Sequence, residues 1–347
     1  MRVHIKDLQA GDRLSEDVFT PHGLHVLTQG ATLDESALTR LHRHSIDYVE
    51  IESRVQAVPA PVEDNAVTAL QLRPLYQEAV SGFEYMFEKA LEEGKVYEED
   101  LKMSFQPLVD NCKAEKDVVS LLLLLNSQDD YTYQHSVQVG MLSYYIARWM
   151  GWDEPDAVQA GKAGFLHDIG KCRIPDAILN KPARLTDEEY EEIKKHPEYG
   201  YEILSESYVE NELALAALQH HERINGTGYP NRITGESMHP LSKIVAVADT
   251  YSAMISSRVY QEKRDLLVVL KELYRCSFGE LEPEVVHTFI RHMLPNFIGK
   301  KVELTGDVTG TIVLNHPTDF FHPLVQTEQS FIDLSTNRDY EILRIYL

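Results

Sequence analysis

Two pairs of adjacent residues in this sequence are of types that bind metal ions, His167-Asp168 and His220-His221. Imidazole and carboxylate groups without thiolates are typical of catalytic sites for hard or borderline divalent metals, whereas structural zinc sites commonly use cysteine. The chain has three cysteines, which lie far apart in sequence and form no Cys-x-x-Cys pair. The pattern therefore favours a catalytic metal site over a thiolate zinc site.

Further histidines and a second aspartate extend these pairs. Asp249 follows the apolar run 244–248, where a carboxylate is unfavourable unless it is paired or bound to a metal. A single histidine among the 15 of this chain is more often a surface or core residue than a ligand, but the joint pattern is much more specific. The candidate metal ligands are His135, His167, Asp168, His196, His220, His221 and Asp249.

The spacing of these residues predicts a site for more than one ion. Neighbouring residues on a helix point about 100° apart, so His167 and Asp168 are not expected to chelate one ion symmetrically. Asp168 can instead bridge two ions while His167 binds one of them. Because one helix cannot surround an ion, we expect the ligands to come from several helices.

Composition and charge restrict the class of protein and its partners. The chain has 347 residues, 43% of them hydrophobic and 25% charged, which is typical of a globular protein with room for two or three domains. A net charge of −22 repels nucleic acid polymers and anionic membranes, so we expect neither as a partner. An anionic small substrate would need a local positive site made by metal ions and a few lysines or arginines. Without a signal peptide, a membrane-spanning run or a disulfide pattern, the chain is expected to be cytoplasmic.

The pattern of apolar positions predicts a helical centre between two β-rich ends. We expect a small α+β module over residues 1–55, a linker over 56–68, a helical domain over 69–297 and a β-rich appendage over 298–347. Gly306-Asp307 should form a hairpin turn in the appendage. The predicted helices of the central part include Tyr131–Met150, Asp156–His167, Asp187–Lys195, Glu210–His220, Leu241–Ser257 and Pro283–Leu294.

The segment from Ser127 to Met293 resembles the HD-GYP family, a branch of the HD metallohydrolases. The resemblance rests on an ordered set of motifs, which includes His167-Asp168, His196-Pro197, His220-His221-Glu222 and Gly226-Thr227-Gly228-Tyr229-Pro230. It implies a mainly α fold, with an all-helical HD-type metallohydrolase domain flanked by small β-rich modules. It also implies metal-dependent hydrolysis of cyclic di-GMP or a related cyclic dinucleotide to linear dinucleotide, mononucleotide or both.

Matched residue by residue, the resemblance implies that the candidate ligands above hold two divalent transition-metal ions. Fe, Mn and Ni are the first candidates, and Mg and Zn are further ones. A third ion in some family members uses a carboxylate one helical turn before the first ligand histidine. Tyr131 stands at that position here, so we expect two ions.

The resemblance also implies roles for residues beside the ions. Asp168 and Lys171 would be catalytic, and Lys171 and Arg258 match positions that contact substrate phosphate, with Lys181 as another candidate. Gly228, Tyr229 and Pro230 would line the substrate site, and this loop is implicated in contacts with a protein partner. Glu222 either orients a ligand histidine or is a solvated carboxylate at the end of a helix.

Some residues depart from the family pattern after the last ligand. Ser252 replaces an aspartate, Val259 a proline and Gln261 a basic residue. None of these departures removes a ligand, although they affect phosphate binding and ligand orientation. Two alternatives therefore stay open: an HD phosphohydrolase that acts on another nucleotide, and a cyclic-dinucleotide receptor with little turnover. The sequence allows a homodimer and does not fix the oligomeric state.

Overall fold

The computed structural model describes most of the chain after residue 61 and parts of the chain before it. The described residues are 2–4, 12–15, 18–19, 25–28, 30–33, 41, 46, 48–51, 62–112, 131–207, 210–255 and 266–346. Contacts within the chain divide it into two compact units, Met1–Asp64 and Asn65–Leu347.

The first unit contains two small antiparallel sheets. Strand β1 (Arg2–His4) pairs with β4 (Tyr48–Glu50), and β2 (Val18–Phe19) pairs with β3 (His25–Leu27). Its core includes Leu14, Leu33, Leu41 and Ile51, all of which are buried. These strands lie within residues 1–55, where the sequence predicts a small α+β module. The sequence also predicts a short helix over residues 35–42, and of that range the structure describes only Leu41.

The second unit is mainly helical. Its described helices are α1 (Val62–Glu93), α2 (Glu98–Cys112), α3 (Tyr131–Trp149), α4 (Glu154–Leu166), α5 (Asp176–Leu179), α6 (Asp187–Ile193), α7 (His196–Ser205), α8 (Asn211–Gln219), α9 (Pro240–Ile255), α10 (Leu266–Cys276) and α11 (Pro283–Met293). The predicted central helices are present with ends shifted by a few residues. None of the described helices is long and apolar enough to cross a bilayer.

Helix α1 begins at Val62, inside the segment 56–68 that was predicted as a linker. The prolines and polar residues that suggested a linker are equally suited to the start of a helix. Pro59 and Pro61 precede the helix, where a missing N–H group does no harm, and Glu63 and Asp64 follow in its first turn.

Close packing of α3 on α4 sets the position of the candidate ligands. Gly140 and Gly161 allow this approach, because a Cβ atom at Gly140 would lie 3.1 Å from the carbonyl oxygen of Gly161, and one at Gly161 would lie 3.1 Å from Tyr144 Cβ. Phe105 stacks on Phe165 with ring centroids 4.7 Å apart. Asp153 caps the start of α4 by accepting a hydrogen bond from the N–H group of Asp156. The start of α3 and the end of α4 are thereby brought together.

A five-stranded antiparallel sheet ends the chain. Its strand order is β8-β7-β6-β5-β9. The strands are β5 (Lys301–Leu304), β6 (Val308–Leu314), β7 (Leu324–Gln326), β8 (Phe331–Asp333) and β9 (Ile342–Tyr346). Three residues, 305–307, connect the paired residues Leu304 and Val308, and Gly306 and Asp307 both have positive φ, at 79° and 57°, as tight hairpin turns commonly require. This confirms the predicted hairpin.

The buried face of this sheet belongs to the same hydrophobic core as the helices. Val302 and Ile345 lie in that core, and Phe320 packs edge-on against Tyr274 of α10 with centroids 5.8 Å apart. The sheet therefore forms part of the second unit. The architecture, mainly α with β-rich ends, agrees with the predicted fold class.

Candidate metal centre

The seven candidate ligands are brought together at the ends and faces of several helices. His135 lies in the first turns of α3, and His167 and Asp168 directly follow α4. His196 begins α7, and His220 and His221 follow α8, while Asp249 lies within α9. All are buried except His221, which is partly exposed. Ligand atoms thus converge from several elements, as the spacing predicted.

The ligand atoms form two separate groups with a third group between them. One consists of His135, His167 and Asp249, and the other of His196, His220 and His221. The third group joins His167 and His220 through Asp168. Within each group the candidate ligand atoms lie within 4.8 Å of one another, which is close enough to surround one ion.

Asp168 turns one carboxylate oxygen towards each of the two groups. Its Oδ2 lies 3.2 Å from His167 Nε2 and 3.9 Å from His135 Nε2. Its Oδ1 lies 3.2 Å from His196 Nε2 and 3.8 Å from His220 Nε2. A carboxylate in this position is suited to bridge two ions.

Asp249 lies between the same two groups on another side. Its Oδ1 is 3.0 Å from His135 Nε2 and 3.9 Å from His167 Nε2, and its Oδ2 is 4.0 Å from His221 Nδ1. Burial would raise the pKa of Asp249, but its bond to His135 and the charge of His167 outweigh burial and hold that pKa well below its ordinary value. The carboxylate is therefore ionised and able to bind a cation.

Backbone carbonyl groups fix the tautomers of three of the histidines. The Nδ1 atoms of His167, His196 and His220 lie 2.7, 2.8 and 2.8 Å from the carbonyl oxygen three residues earlier. Because a carbonyl only accepts, each Nδ1 must carry the proton and donate it. In the neutral form of each ring, Nε2 then presents its lone pair to the space around Asp168, as a metal-binding imidazole does.

Unsatisfied buried atoms show that this space fits divalent ions. Within the described residues, His167 Nε2 and Asp168 Oδ1 are buried and have no hydrogen-bond partner. Such atoms are unfavourable in a native protein unless a water molecule or an ion satisfies them. The donor set of imidazole nitrogens and carboxylate oxygens is the one that divalent transition metals prefer.

Burial and charge shift the pKa values of His220, His221 and Asp168 towards the states that bind metal. Burial would lower the pKa of His167 as well, but the charge of Asp168 outweighs it and raises that pKa. Burial, and then the neighbouring imidazoles, lower the pKa of His220 well below its ordinary value, so this ring is neutral. Burial lowers the pKa of His221 in the same direction, against the charge of Asp249. Burial would raise the pKa of Asp168, but the charges of His167 and Lys171 outweigh it and lower that pKa well below its ordinary value.

The cations predicted to bind phosphate lie in different surroundings. Lys171 Nζ is 2.6 Å from Asp168 Oδ2, and the side chain is partly exposed beside the cluster. Lys181 Nζ instead lies 2.6 Å from Glu189, and its described contacts do not include the cluster. Arg258 lies outside the described residues, as do Val259 and Gln261.

A close crossing of two glycines holds α7 against the turn that carries Asp168. A Cβ atom at Gly170 would lie 2.1 Å from the carbonyl oxygen of His196 and 2.3 Å from the N atom of Gly200. Only glycine leaves room for this approach, which places His196 next to Asp168. Sequence reasoning did not assign this role, although Gly170 directly follows the His-Asp motif.

The loop Gly226–Pro230 folds back onto the end of α8. A Cβ atom at Gly228 would lie 2.4 Å from Glu222 Cα, and the N–H group of Tyr229 donates to the carbonyl oxygen of His221 at 3.2 Å. The Tyr229 ring stacks on the His221 ring, with centroids 4.6 Å apart and an interplanar angle of 22°. Of the loop residues, Tyr229 thus lies directly on a candidate ligand.

Neither predicted role of Glu222 agrees with its position. The side chain is fully buried, so it is not a solvated carboxylate. Its Oε1 accepts a hydrogen bond from the N–H group of Asn231 at 2.6 Å, and its described hydrogen bonds include no histidine. Glu222 instead holds the end of the loop, because its buried carboxylate needs a hydrogen-bond donor and takes the N–H group of Asn231.

Sequence reasoning also missed the residues that support His135. Its Nδ1 lies 3.0 Å from Ser252 Oγ, which in turn is bonded to Gln138. Ser252 had been noted only as a departure from the family pattern. No sequence motif indicated a role for Gln138, although it lies three residues after His135 on the same helix.

Comparisons with known proteins agree with the site and the fold. A family model for the HD domain matches residues 120–276. A cyclic di-GMP phosphodiesterase of Pseudomonas aeruginosa is 35% identical over 206 residues, which cover 59% of this chain and 50% of that protein. A cyclic di-GMP phosphodiesterase of Thermotoga maritima is 40% identical over 178 residues, which cover 50% of this chain and 48% of that protein. The chain thus spans about half the length of the curated relatives it matches.

A solved structure extends the likeness in fold beyond the HD domain. An HDG"Y"P protein from Bdellovibrio bacteriovorus matches with a TM-score of 0.54 at 18% sequence identity, covering 83% of this chain and 97% of that one. At this identity the match shows the fold. The comparisons thus support the HD-domain part of the resemblance predicted from the sequence, since residues 120–276 match the HD-domain model and both relatives are at least 35% identical over the matched residues.

Proposed function

We propose that this chain is a metal-dependent phosphodiesterase that hydrolyses cyclic di-GMP or a related cyclic dinucleotide. The observation that carries the proposal is the position of Asp168, whose two carboxylate oxygens face two different groups of histidines. The two relatives from Pseudomonas aeruginosa and Thermotoga maritima are named cyclic di-GMP phosphodiesterases, which supports this substrate class.

The proposed centre holds two divalent ions. His135, His167 and Asp249 would hold one ion and His196, His220 and His221 the other, with Asp168 shared between them. Fe, Mn and Ni suit this mixture of nitrogen and oxygen donors, and Mg and Zn are further candidates. Divalent ions bound there would polarise a phosphoryl oxygen and activate water for attack on phosphorus.

The side chains around the centre would bind and orient the substrate. Lys171 lies beside Asp168 with part of its side chain exposed, so its ammonium group can bind a non-bridging phosphate oxygen and offset charge in the transition state. With a net charge of −22, the chain depends on such local cations to attract an anionic substrate. We assign the second phosphate to Arg258, which comes from the sequence resemblance alone.

The loop and the second lysine complete the proposed substrate contacts. Gly228, Tyr229 and Pro230 would line the site, because Tyr229 stacks on His221 at its partly exposed side. Lys181 is the weakest of these assignments, since its ammonium group is bound to Glu189 and would have to leave it. The complete set of ligands favours an enzyme over a receptor, because a receptor would not need both metal groups.

Turnover by metal-loaded protein tests the proposal. Metal-free protein would be loaded with Mn, Fe, Ni or Mg and incubated with several cyclic dinucleotides, and the products would be separated by chromatography. We expect linear dinucleotide or mononucleotide from the wild type. Asp168→Asn should lower turnover by roughly 100-fold or more, as loss of a main catalytic group does.

Asp176→Asn is the matched control, because Asp176 is an exposed carboxylate at the start of α5. It should leave turnover unchanged. Tight binding of cyclic di-GMP with no product in any metal form would favour a receptor instead. Hydrolysis of another class of nucleotide, with cyclic dinucleotides untouched, would contradict the proposed substrate.

A further inference from the structure

A buried series of hydrogen bonds connects the candidate ligand His135 to helix α1. His135 Nδ1 lies 3.0 Å from Ser252 Oγ, which donates to Gln138 Oε1 at 3.1 Å. Gln138 Nε2 donates to the hydroxyl group of Tyr76 at 3.5 Å, and that hydroxyl donates to the carbonyl oxygen of Gln134 at 3.3 Å. We name Ser252, Gln138 and Tyr76 the relay; all three are buried.

The direction of each hydrogen bond in the relay follows from its end points. The single proton of the Tyr76 hydroxyl goes to a carbonyl oxygen, so this hydroxyl accepts from Gln138. The Ser252 hydroxyl likewise donates its single proton to Gln138 Oε1, so it must accept a hydrogen bond from His135 Nδ1. His135 therefore donates from Nδ1, and in the neutral ring Nε2 carries the lone pair; Nε2 lies 3.0 Å from Asp249 Oδ1, close enough for both atoms to bind the same ion.

His135 differs in this respect from His167, His196 and His220. Those rings are fixed by carbonyl groups of the adjacent backbone, which form with the local helix end. The ring of His135 is instead held by side chains from three helices, α9, α3 and α1. Helix α1 precedes residues 120–276, the part of the chain matched by the HD domain.

We propose that Ser252, Gln138 and Tyr76 are positioning residues, which fix the orientation and metal-binding tautomer of His135 and make α1 part of the metal centre. The proposal rests on the metal centre of the proposed function. Ser252 stands where the resembled family commonly has an aspartate, and here a neutral hydroxyl backed by an amide and a phenol takes the place of a carboxylate. Such supporting partners orient a ligand histidine as strongly as any residue beside the metal.

Metal affinity is the readout that tests the relay. Metal-free full-length protein would be titrated with Mn²⁺ by calorimetry, and stability would be followed by thermal unfolding. Ser252→Ala should raise the dissociation constant of one of the two bound Mn²⁺ ions by about 10-fold to 100-fold and leave that of the other unchanged. Tyr76→Phe removes only a hydroxyl group and should weaken the same equivalent by a smaller factor.

Tyr145→Phe is the matched control for Tyr76→Phe. The Tyr145 hydroxyl is also buried and donates to a backbone carbonyl, that of Cys112, at 2.5 Å. It lies in α3 near the end opposite to His135. Both variants should lower the unfolding temperature, but only Tyr76→Phe should change metal affinity. Equal effects of the two on metal affinity would mean that Tyr76 has a general structural role and would overturn the proposal.

A double variant tests whether Tyr76 acts through Ser252. If it does, Tyr76→Phe combined with Ser252→Ala should bind metal about as Ser252→Ala does alone, because the connection is already broken. Wild-type affinity for both equivalents in Ser252→Ala and Tyr76→Phe would overturn the proposal. The relay is tested by metal affinity and the phosphodiesterase proposal by turnover. Either proposal can therefore be contradicted while the other holds.

Discussion

At the scale of single residues, the ability of the site to bind metal depends on the direction of each lone pair and on the position of each charged group. Three histidines donate Nδ1 to their own backbone, and Asp168 divides its oxygens between two groups of imidazoles. In the neutral rings, the Nε2 lone pairs face the oxygen lone pairs of Asp168, so these atoms cannot form hydrogen bonds with one another. Divalent ions between them would resolve this arrangement, and a neighbouring lysine would then be available for phosphate.

Replacement of Lys171 tests whether this lysine binds the phosphate of the substrate. Lys171→Ala should lower kcat for a cyclic dinucleotide by about 100-fold, the effect typical of removing one group that stabilises charge in a transition state. Metal content should be retained. Lys89→Ala is the control, because Lys89 is similarly buried and also paired with an aspartate, Asp100, at 3.2 Å, but lies in α1 away from the cluster. Equal turnover by the two variants would show that Lys171 does not bind the reacting phosphate.

At the scale of elements, the centre is assembled by close packing between helix ends. The turn after α4 and the start of α7 meet at Gly170 and Gly200, and this contact places His196 against Asp168. The loop after α8 is held by Glu222 and by the hydrogen bond from Tyr229 to His221. Small residues and buried polar groups near the motifs thus fix the ligands in place.

The two glycines of this crossing give a matched test. Gly170→Ala would put a Cβ atom 2.1 Å from a backbone oxygen, so the helix must move, at a cost of about 1–3 kcal/mol or more. At Gly200 the nearest atom would be a side-chain carbon at 3.3 Å, which can shift slightly. Gly170→Ala should therefore lower both the unfolding temperature and the number of bound metals, and Gly200→Ala should do so much less. Similar metal binding in the two variants would contradict the role of this crossing.

At the scale of the whole molecule, the terminal sheet and the helices share one core. Val302 and Ile345 of the sheet belong to the same buried cluster as the helices, and Phe320 packs between Tyr274 and His287. Packing of this kind couples the stability of the sheet to that of the helices. The second unit is therefore expected to unfold in one transition.

Phe320→Ala tests this coupling. Loss of a buried phenylalanine costs about 3–5 kcal/mol, so the helical circular dichroism signal should be lost at a clearly lower temperature. Phe331→Ala is the control in the same sheet, because Phe331 is 62% exposed and should matter little. If Phe320→Ala produced a separate low-temperature transition with the helical signal unchanged, the sheet would be an independent domain.

Local patterns in the sequence sufficed to predict most of the helices and strands and to select the histidines and aspartates that the fold brings together. His167-Asp168 and His220-His221 are adjacent in sequence, and Gly306-Asp307 has the residue types of its turn. The partners of His135 escaped prediction because Tyr76 and Ser252 are far from it in sequence and meet it only after α1, α3 and α9 have packed. Prolines and acidic residues suit both a linker and a helix start, so composition alone did not indicate that α1 begins at Val62.

Anomalous diffraction at the absorption edge of the bound metal is the most direct test of the central claim. Crystals of metal-loaded protein should show two strong peaks on opposite sides of the Asp168 carboxylate. One peak should lie beside His135, His167 and Asp249, and the other beside His196, His220 and His221. A single peak, peaks away from Asp168 or a third ion beside His135 would contradict a two-ion centre built on Asp168.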